Sequence, residues 1–308
     1  RSLTRDLAQT LGDEALSREP SASAEAFVGM VSKYLAAERG RVVVLDEFQN
    51  LVAADRAVLS FLQRDWDRRI RDSGGMLVLC GSAVGMMEDF ALSPKSPLYG
   101  RKTGLLRLEP LPFWAVGRLI PERALLPRLL RYSVAGGVPA YLRSLYPYPH
   151  LEDALRTAVF DKGGALREEP TAAIQAETRD PERYLSILEQ IAGGAARFGE
   201  IADRTGIAVT TLPRYMEVLT ERIRVVERRT VVTEPRAWSK TSVYRISDPL
   251  FRFWFACVAP RRSRLKQGDI DSVLSEALER LPALAGPILE DIVRDAMLAS
   301  HGRAWGSL

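Results

Sequence analysis

Hydrophobic positions change period several times along the chain. Over residues 24–38, AEAFVGMVSKYLAAE, the apolar Phe27, Val28, Val31 and Leu35 share one helical face behind Ser23, a helix N-cap residue, which predicts an amphipathic helix. Val42 to Leu45, VVVL, is a continuous β-branched run of the kind buried on both faces in a parallel sheet. Helical spacing returns at Val58, Leu59, Leu62, Trp66 and Ile70, and Gly74-Gly75 then turns the chain into a second apolar strand at 76–80, MLVLC. Strand, helix, strand predicts a right-handed parallel crossover in an α/β sheet with helices on its faces. A third short strand is expected at Leu105 to Leu108, stopped by Pro110 and Pro112. From Phe113 to about Asp180, short helices broken by Pro121, Pro127, Gly136, Gly137, Pro147 and Pro149 predict a small helical lid, with a linker around Glu168 to Asp180.

From Pro181 the pattern becomes three short helices. Tyr184, Leu185, Leu188 and Ile191 mark the first, Phe198 and Ile201 the second, and Leu212, Tyr215, Met216 and Leu219 the third. Two β-prone segments follow, Arg224 to Val232 and Ser242 to Ile246, with Pro235 between them. Helix, helix-turn-helix and hairpin in that order predict a winged helix over 181–247. The aromatic run Asp248 to Ala259, DPLFRFWFACVA, is expected to open a further packing unit extending to 308. The expected organisation is therefore a partial α/β core over 1–112, a lid and linker over 113–180, the winged helix, and a helical C-terminal piece over 248–308.

Composition narrows the function classes. At 308 residues, 46% hydrophobic and 27% charged, the chain is an ordinary globular sequence long enough for two or three units. No apolar run approaches the roughly 20 residues needed to span a bilayer, and Arg1 to Thr10 is polar, so neither a membrane partner nor a signal peptide is expected and a cytoplasmic location is. Two cysteines, Cys80 and Cys257, assemble neither a disulfide framework nor a zinc site, and His150 and His301 have no ligand or triad partner nearby. Charge is uneven: Pro181 to Gly268 carries 16 Lys and Arg against 9 Asp and Glu, a net +7, while the remainder carries 27 against 30, a net −3. Such an excess attracts a polyanion, although a solvated arginine-rich surface gives the same count.

The strongest chemical feature is VVVLDEFQ, a strand ending in two adjacent carboxylates, Asp46 and Glu47. Ligands of open α/β sheets collect at the carboxyl ends of strands, where Asp46 would hold a hydrated Mg2+ and Glu47 would polarise water towards a γ-phosphate, the Walker B arrangement. The same letters also fit a strand that merely ends in a helix-capping acid pair. Gly81-Ser82 closes the next strand, where a small polar side chain can orient water.

VVVLDEFQNL, LCGSAVGMM and SPLYGRKTGLLRLEPLPF, then AGGVPAYL, ILEQIAGGAARFGEIADRTGIAVTTLPRYMEVL and YRISDPLFRFWF, closely resemble in order and spacing the archaeal ATPase family of P-loop NTPases, relatives of the AAA+ and STAND switch proteins. The resemblance covers nearly the whole chain. It implies ATP and Mg2+ as ligands, with Asp46 and Glu47 in the Walker B roles and Ser82 as sensor 1. Arg101 would be an arginine finger, within the chain or across the interface of a homo-oligomer, or else an exposed arginine. Pro139 would contact adenine through its Gly-Val-Pro turn, or serve only to start a helix. One departure is plain: no G-x-x-x-x-G-K-[ST] string occurs in the 308 residues. In the family that loop lies upstream of the helix before Walker B, so it is expected ahead of Arg1, and these residues alone are expected to bind ATP poorly.

In the winged-helix reading, Thr210, Thr211 and Arg214, with Glu217, would face the major groove of double-stranded DNA. Arg222, Arg224, Arg228 and Arg229 would contact phosphates, which fix register without reading sequence. Winged helices also dock proteins or cover nucleotides. The C-terminal piece resembles the opening of a region related to PD-(D/E)xK nucleases: Glu290 matches its first acid, and the remaining metal ligands would lie beyond Leu308, so no nuclease activity is expected of this chain. Three functions follow as expectations: an ATP-driven switch coupled to a DNA-binding module, a DNA-binding regulator on a non-hydrolysing scaffold, or an ATPase-gated nuclease in the full-length protein.

Overall fold

The computed structural model describes residues 23–120, 122, 124–229 and 242–299; Pro235, His301 and Trp305 lie outside them. The chain divides between Arg107 and Leu108 into two compact units.

In the first unit, Ser23 caps helix α1 (Ala24–Ala37), its Oγ accepting from the Ala26 amide at 3.2 Å. Strand β1 (Val42–Leu45) leads into α2 (Phe48–Ala54) and α3 (Val58–Asp65), which continues as a π turn over Trp66–Ile70 before β2 (Met76–Leu79) and α4 (Val84–Leu92). The strands pair in parallel, Val42 opposite Met76 and Leu45 opposite Leu79, as the strand-helix-strand pattern predicts. Phe27, Val28, Val31 and Leu35 of α1, with Leu59 and Leu62 of α3, pack around Val43 and Phe48. The polar residues caught between these helices satisfy each other: buried Ser32 donates to Asp65 Oδ2 at 2.9 Å, and Arg64 Nε reaches Oδ1 at 3.1 Å.

Two expectations fail here. The VVVL run is buried on one face only, for Val42, Val44 and Met76 are 53%, 57% and 59% exposed while Val43 is buried. Within the first unit the described core gathers on the side that holds Val43. Leu105 to Leu108 forms no strand, and Leu105, Leu106 and Leu108 are exposed. Strands exist by pairing, and no described strand lies beside this segment to accept its hydrogen bonds.

The second unit is mainly helical. It contains α5 (Leu125–Ala135), α6 (Pro139–Leu145), α7 (Leu151–Leu155, continued by a π turn over Arg156–Phe160) and α8 (Glu169–Glu177). Next come α9 (Pro181–Ala192), α10 (Phe198–Thr205) and α11 (Leu212–Glu217, with a π turn over Val218–Arg222), then an antiparallel pair, β3 (Val226–Arg229) and β4 (Val243–Ile246). Three helices and a hairpin thus occur in the expected order. Val226 lies opposite Ile246, and the Tyr244 amide donates to Ala196 O at 2.7 Å, tying the α9–α10 connection to the hairpin. The chain ends its described course in α12 (Pro249–Phe253, with a π turn over Trp254–Val258), α13 (Arg262–Lys266) and the long α14 (Ile270–Ala299).

Residues 113–180, 181–247 and 248–299, read as successive regions in the sequence, share one hydrophobic core. The aromatic run sits inside it: Leu250, Phe253, Trp254 and Cys257 are buried with Phe160, Leu188 and Leu274. Trp254 can be buried because its indole N–H donates to Arg167 O at 2.7 Å. Among the described residues no helix is long and apolar enough to cross a membrane.

Candidate functional site

The chain leaves β1 at Leu45 and must enter α2 three residues later. Asp46 turns first, its Oδ1 accepting from the Glu47 amide at 2.9 Å, and Glu47 takes a left-handed conformation with φ 49° and ψ 42°. A side-chain-bearing residue in that region costs about 1–2 kcal/mol, so neighbouring contacts must hold it there. They are present: the Phe48 amide donates to Cys80 O at 2.9 Å, and the Cys80 amide donates to Leu45 O at 2.9 Å, locking the carboxyl ends of both strands together.

That lock brings three polar side chains to one point. Ser82 Oγ donates to Glu47 Oε2 at 2.9 Å, and Gln49 Nε2 donates to the same carboxylate oxygen and to Ser82 Oγ, the latter at 3.3 Å. Asp46 and Glu47 are exposed, whereas Gln49 is buried. Gly81 packs closely on the trio: a Cβ there would lie 2.2 Å from Gln49 Oε1 and 2.7 Å from Met87 Sδ, so the Gln49 amide or the Met87 side chain would have to move. The structure therefore groups Glu47 and Ser82 with Asp46 at the carboxyl edge of the parallel sheet. Sequence reasoning missed Gln49 and Gly81, although both stand inside the strings it singled out; a polar residue at a position of α2 that packs on the next strand was the available signal.

Arg101 is not brought to this point of the chain. Its guanidinium grips Asp67 twice, Nη2 to Oδ2 at 2.7 Å and Nε to Oδ1 at 3.0 Å, while Nη1 donates to Pro97 O at 2.9 Å. The paired guanidinium holds Asp67 below the usual carboxylate range. Asp67 belongs to the turn that leads towards Met76, the amino-terminal end of β2, whereas Asp46, Glu47 and Ser82 follow the opposite strand ends. A doubly bonded arginine fork fixed to that edge is not aimed at the acid pair.

In the second unit Pro139 is exposed and occupies the first turn of α6, where its missing amide is tolerated. Its neighbour Gly137 lines a cavity of about 260 Å3 together with Trp114, Tyr132, Arg224 and Asp248, and Pro139 does not line it. Burial, with smaller contributions from nearby aspartates, pushes the Tyr132 hydroxyl up to about 12.

On and before α11, Thr210, Thr211, Arg214 and Glu217 are exposed while Leu212 and Met216 are buried, the division the sequence predicts. Arginines of the β3–β4 pair are engaged by acids of their own chain. Arg229 pairs with Glu227 at 2.9 Å and with Asp291 of α14, and Arg245 pairs with the same two acids. Asp291 lies 62 residues from Arg229, beyond any local pattern. Arg224 has φ 60° and faces Glu109 at 3.5 Å; Arg228 is exposed and Arg222 half-buried. Glu290 is exposed on α14, and among the described residues no group of three His, Cys, Asp or Glu side chains could by itself hold a metal ion.

No protein-family model matches the chain. The uncharacterized protein MJECL04 of Methanocaldococcus jannaschii is 32% identical over 263 residues, covering 84% of this chain and 58% of the relative. A second protein of that organism, the uncharacterized MJ0424, is 45% identical over 42 residues, 14% of this chain and 41% of the relative. The chain thus spans between two fifths and three fifths of the curated relatives it matches. Among solved structures, the Walker-type ATPase PABY2304 of Pyrococcus abyssi is similar with a TM-score of 0.49 and 23% sequence identity, covering 78% of this chain and 69% of that one.

Proposed function

We propose that the first unit carries the water-activating half of a P-loop ATPase site and that the chain belongs to an ATP-driven switch. The observation that supports this reading is the convergence of Ser82 and Gln49 on one carboxylate oxygen of Glu47 at the carboxyl edge of a parallel sheet, beside exposed Asp46. The donor set fits Mg2+: that ion keeps most of its waters and takes one or two carboxylates plus phosphate oxygens rather than a protein cage, so Asp46 would suffice as its protein ligand. Mg2+ would supply charge neutralisation on the phosphates of ATP. Glu47 would orient the attacking water through its carboxylate, and Ser82 would hold that carboxylate in place. Arg101, tied to Asp67, has no part in this reading within one chain.

The 308 residues contain no Gly-rich Lys-Ser or Lys-Thr loop, so the test belongs in the full-length gene product. Glu47→Gln keeps shape and removes the base; turnover should fall at least a hundredfold while ATP binding stays within about threefold. Unchanged turnover would refute the assignment.

A second reading, winged-helix binding of duplex DNA, is supported by the exposure of Thr210, Thr211, Arg214 and Glu217 on and just before the third helix ahead of a hairpin. Arg214, exposed on α11, would face the groove and Arg228, exposed on β3, would contact phosphate. Their neutralisation should weaken duplex binding and flatten its salt dependence, and a salt-insensitive interaction would remove the reading.

A further inference from the structure

The geometry points to Gln49 as the positioning residue of this site, an inference that rests on the reading of Glu47 as the group that orients water. Glu47 is exposed and its backbone sits in a sparsely populated conformation, so nothing intrinsic to its side chain fixes the carboxylate. Both hydrogen bonds given to that carboxylate go to Oε2, from Ser82 Oγ and from Gln49 Nε2. Ser82 is on the loop between β2 and α4, outside any helix or strand. Gln49 is different: it is 6% exposed and anchored in the first turn of α2, so its amide is the rigid member of the trio. By holding Oε2 it leaves Oε1 as the oxygen that meets a water.

The arrangement carries a cost that packing alone does not explain. Gln49 Oε1 is buried without a hydrogen-bond partner in a chain where buried polar atoms are otherwise mostly paired. It faces Gly81, whose missing side chain makes the room; any Cβ there would displace the amide. An apolar residue of the same size would fill this position more cheaply. A buried amide that forfeits one of its own hydrogen bonds to aim its N–H at an exposed carboxylate is placed for what it does to that carboxylate.

Two measurements test this. In the 308-residue chain without nucleotide, the side-chain amide cross-peaks that vanish in Gln49→Met should exchange with water at least tenfold more slowly than those of an unfolded peptide, and lose that protection in Glu47→Ala. Exchange at the unfolded rate would overturn the proposal. In the full-length gene product, Gln49→Met and Gly81→Ala should each lower kcat per folded molecule by about ten- to a hundredfold, with KM for ATP within about twofold. Gln49→Asn, one methylene too short to reach both partners, should do the same if the Met variant folds poorly. Added to Glu47→Gln, Gln49→Met should cost nothing more, because it acts through Glu47. If Glu47→Gln stops turnover and Gln49→Met does not, or if the two losses multiply, the role of Gln49 is wrong and that of Glu47 stands. If Glu47→Gln leaves turnover unchanged, the reading of the site itself fails.

Discussion

Arg131 provides a sharp test of how the second unit is held together. Its side chain is 1% exposed, and its guanidinium donates to Leu145 O at 2.6 Å, Tyr148 O at 3.0 Å and Pro149 O at 3.3 Å while meeting Glu122 Oε1 at 2.5 Å. One cation thus gathers the carbonyl at the end of α6, which also accepts from the Tyr148 amide at 3.4 Å, and two carbonyls in the turn after it. Arg131→Met retains much of the apolar volume but takes the guanidinium away from those carbonyls and from the Glu122 carboxylate. Removing one partner of a buried ion pair costs about 3–5 kcal/mol, most of it desolvation left uncompensated. For a unit of this size that corresponds to a melting temperature lower by about 6–20 °C. Urea unfolding followed by the fluorescence of buried Trp254, in the same core, reads the cost directly. Arg131→Lys should fall in between, because an ammonium keeps the charge but lacks the planar fork. A loss below about 1 kcal/mol for the Met variant would mean that water replaces the guanidinium freely, and the description of this residue as a buried staple would be wrong.

Three further outcomes follow. Gly137→Ala should destabilise the unit by about 3 kcal/mol in thermal melts, since the new Cβ would lie 1.8 Å from Leu111 O in a segment already fixed by the Leu111 amide to Gly137 O bond of 2.8 Å; a loss under 1 kcal/mol would contradict that close approach. Burial pushes the Cys257 thiol up to about 11 from its ordinary 9.0, so its contribution to stability is complete below about pH 9 and drains away as the pH climbs towards 11. At pH 8 a thiol reagent should titrate half-exposed Cys80 in the folded chain and reach Cys257 only in urea; equal reactivity would refute the burial. Asp291→Asn removes the shared partner of Arg229, Arg245 and Arg294, and should cost about 1–2 kcal/mol, less in high salt; a salt-independent effect would exclude an ionic origin.

What could be read from the letters depended on range. The parallel pairing of β1 with β2 followed from two apolar runs flanking an amphipathic helix, and Asp46, Glu47 and Ser82 could be located because strand ends are visible in sequence. The helical stripes of the second unit were equally local, and Leu212, Met216 and Leu219 are buried as their spacing requires. Contacts made across long stretches left no such trace. Asp67 gives no hint that it will pair with Arg101, nor Asp291 that it will pair with Arg229 and Arg245 of the hairpin. The strand expected at Leu105 to Leu108 failed for a related reason: its composition suits a sheet, but a strand is defined by its neighbour. Gln49 was overlooked because an amide in an amphipathic helix has no signature until its partner on the next strand is known.

The bare side of the two-stranded sheet bears on how this polypeptide behaves in a tube. Among the described residues Val42, Val44 and Met76 are each more than half exposed on a two-stranded sheet, and an oily strip on a short sheet is the combination that lets β-structure stick to whatever it meets. Preparations of the 308-residue chain should brighten an apolar dye and scatter more light as they are concentrated, and a Val44→Lys change should quiet both without disturbing the helices on the far side.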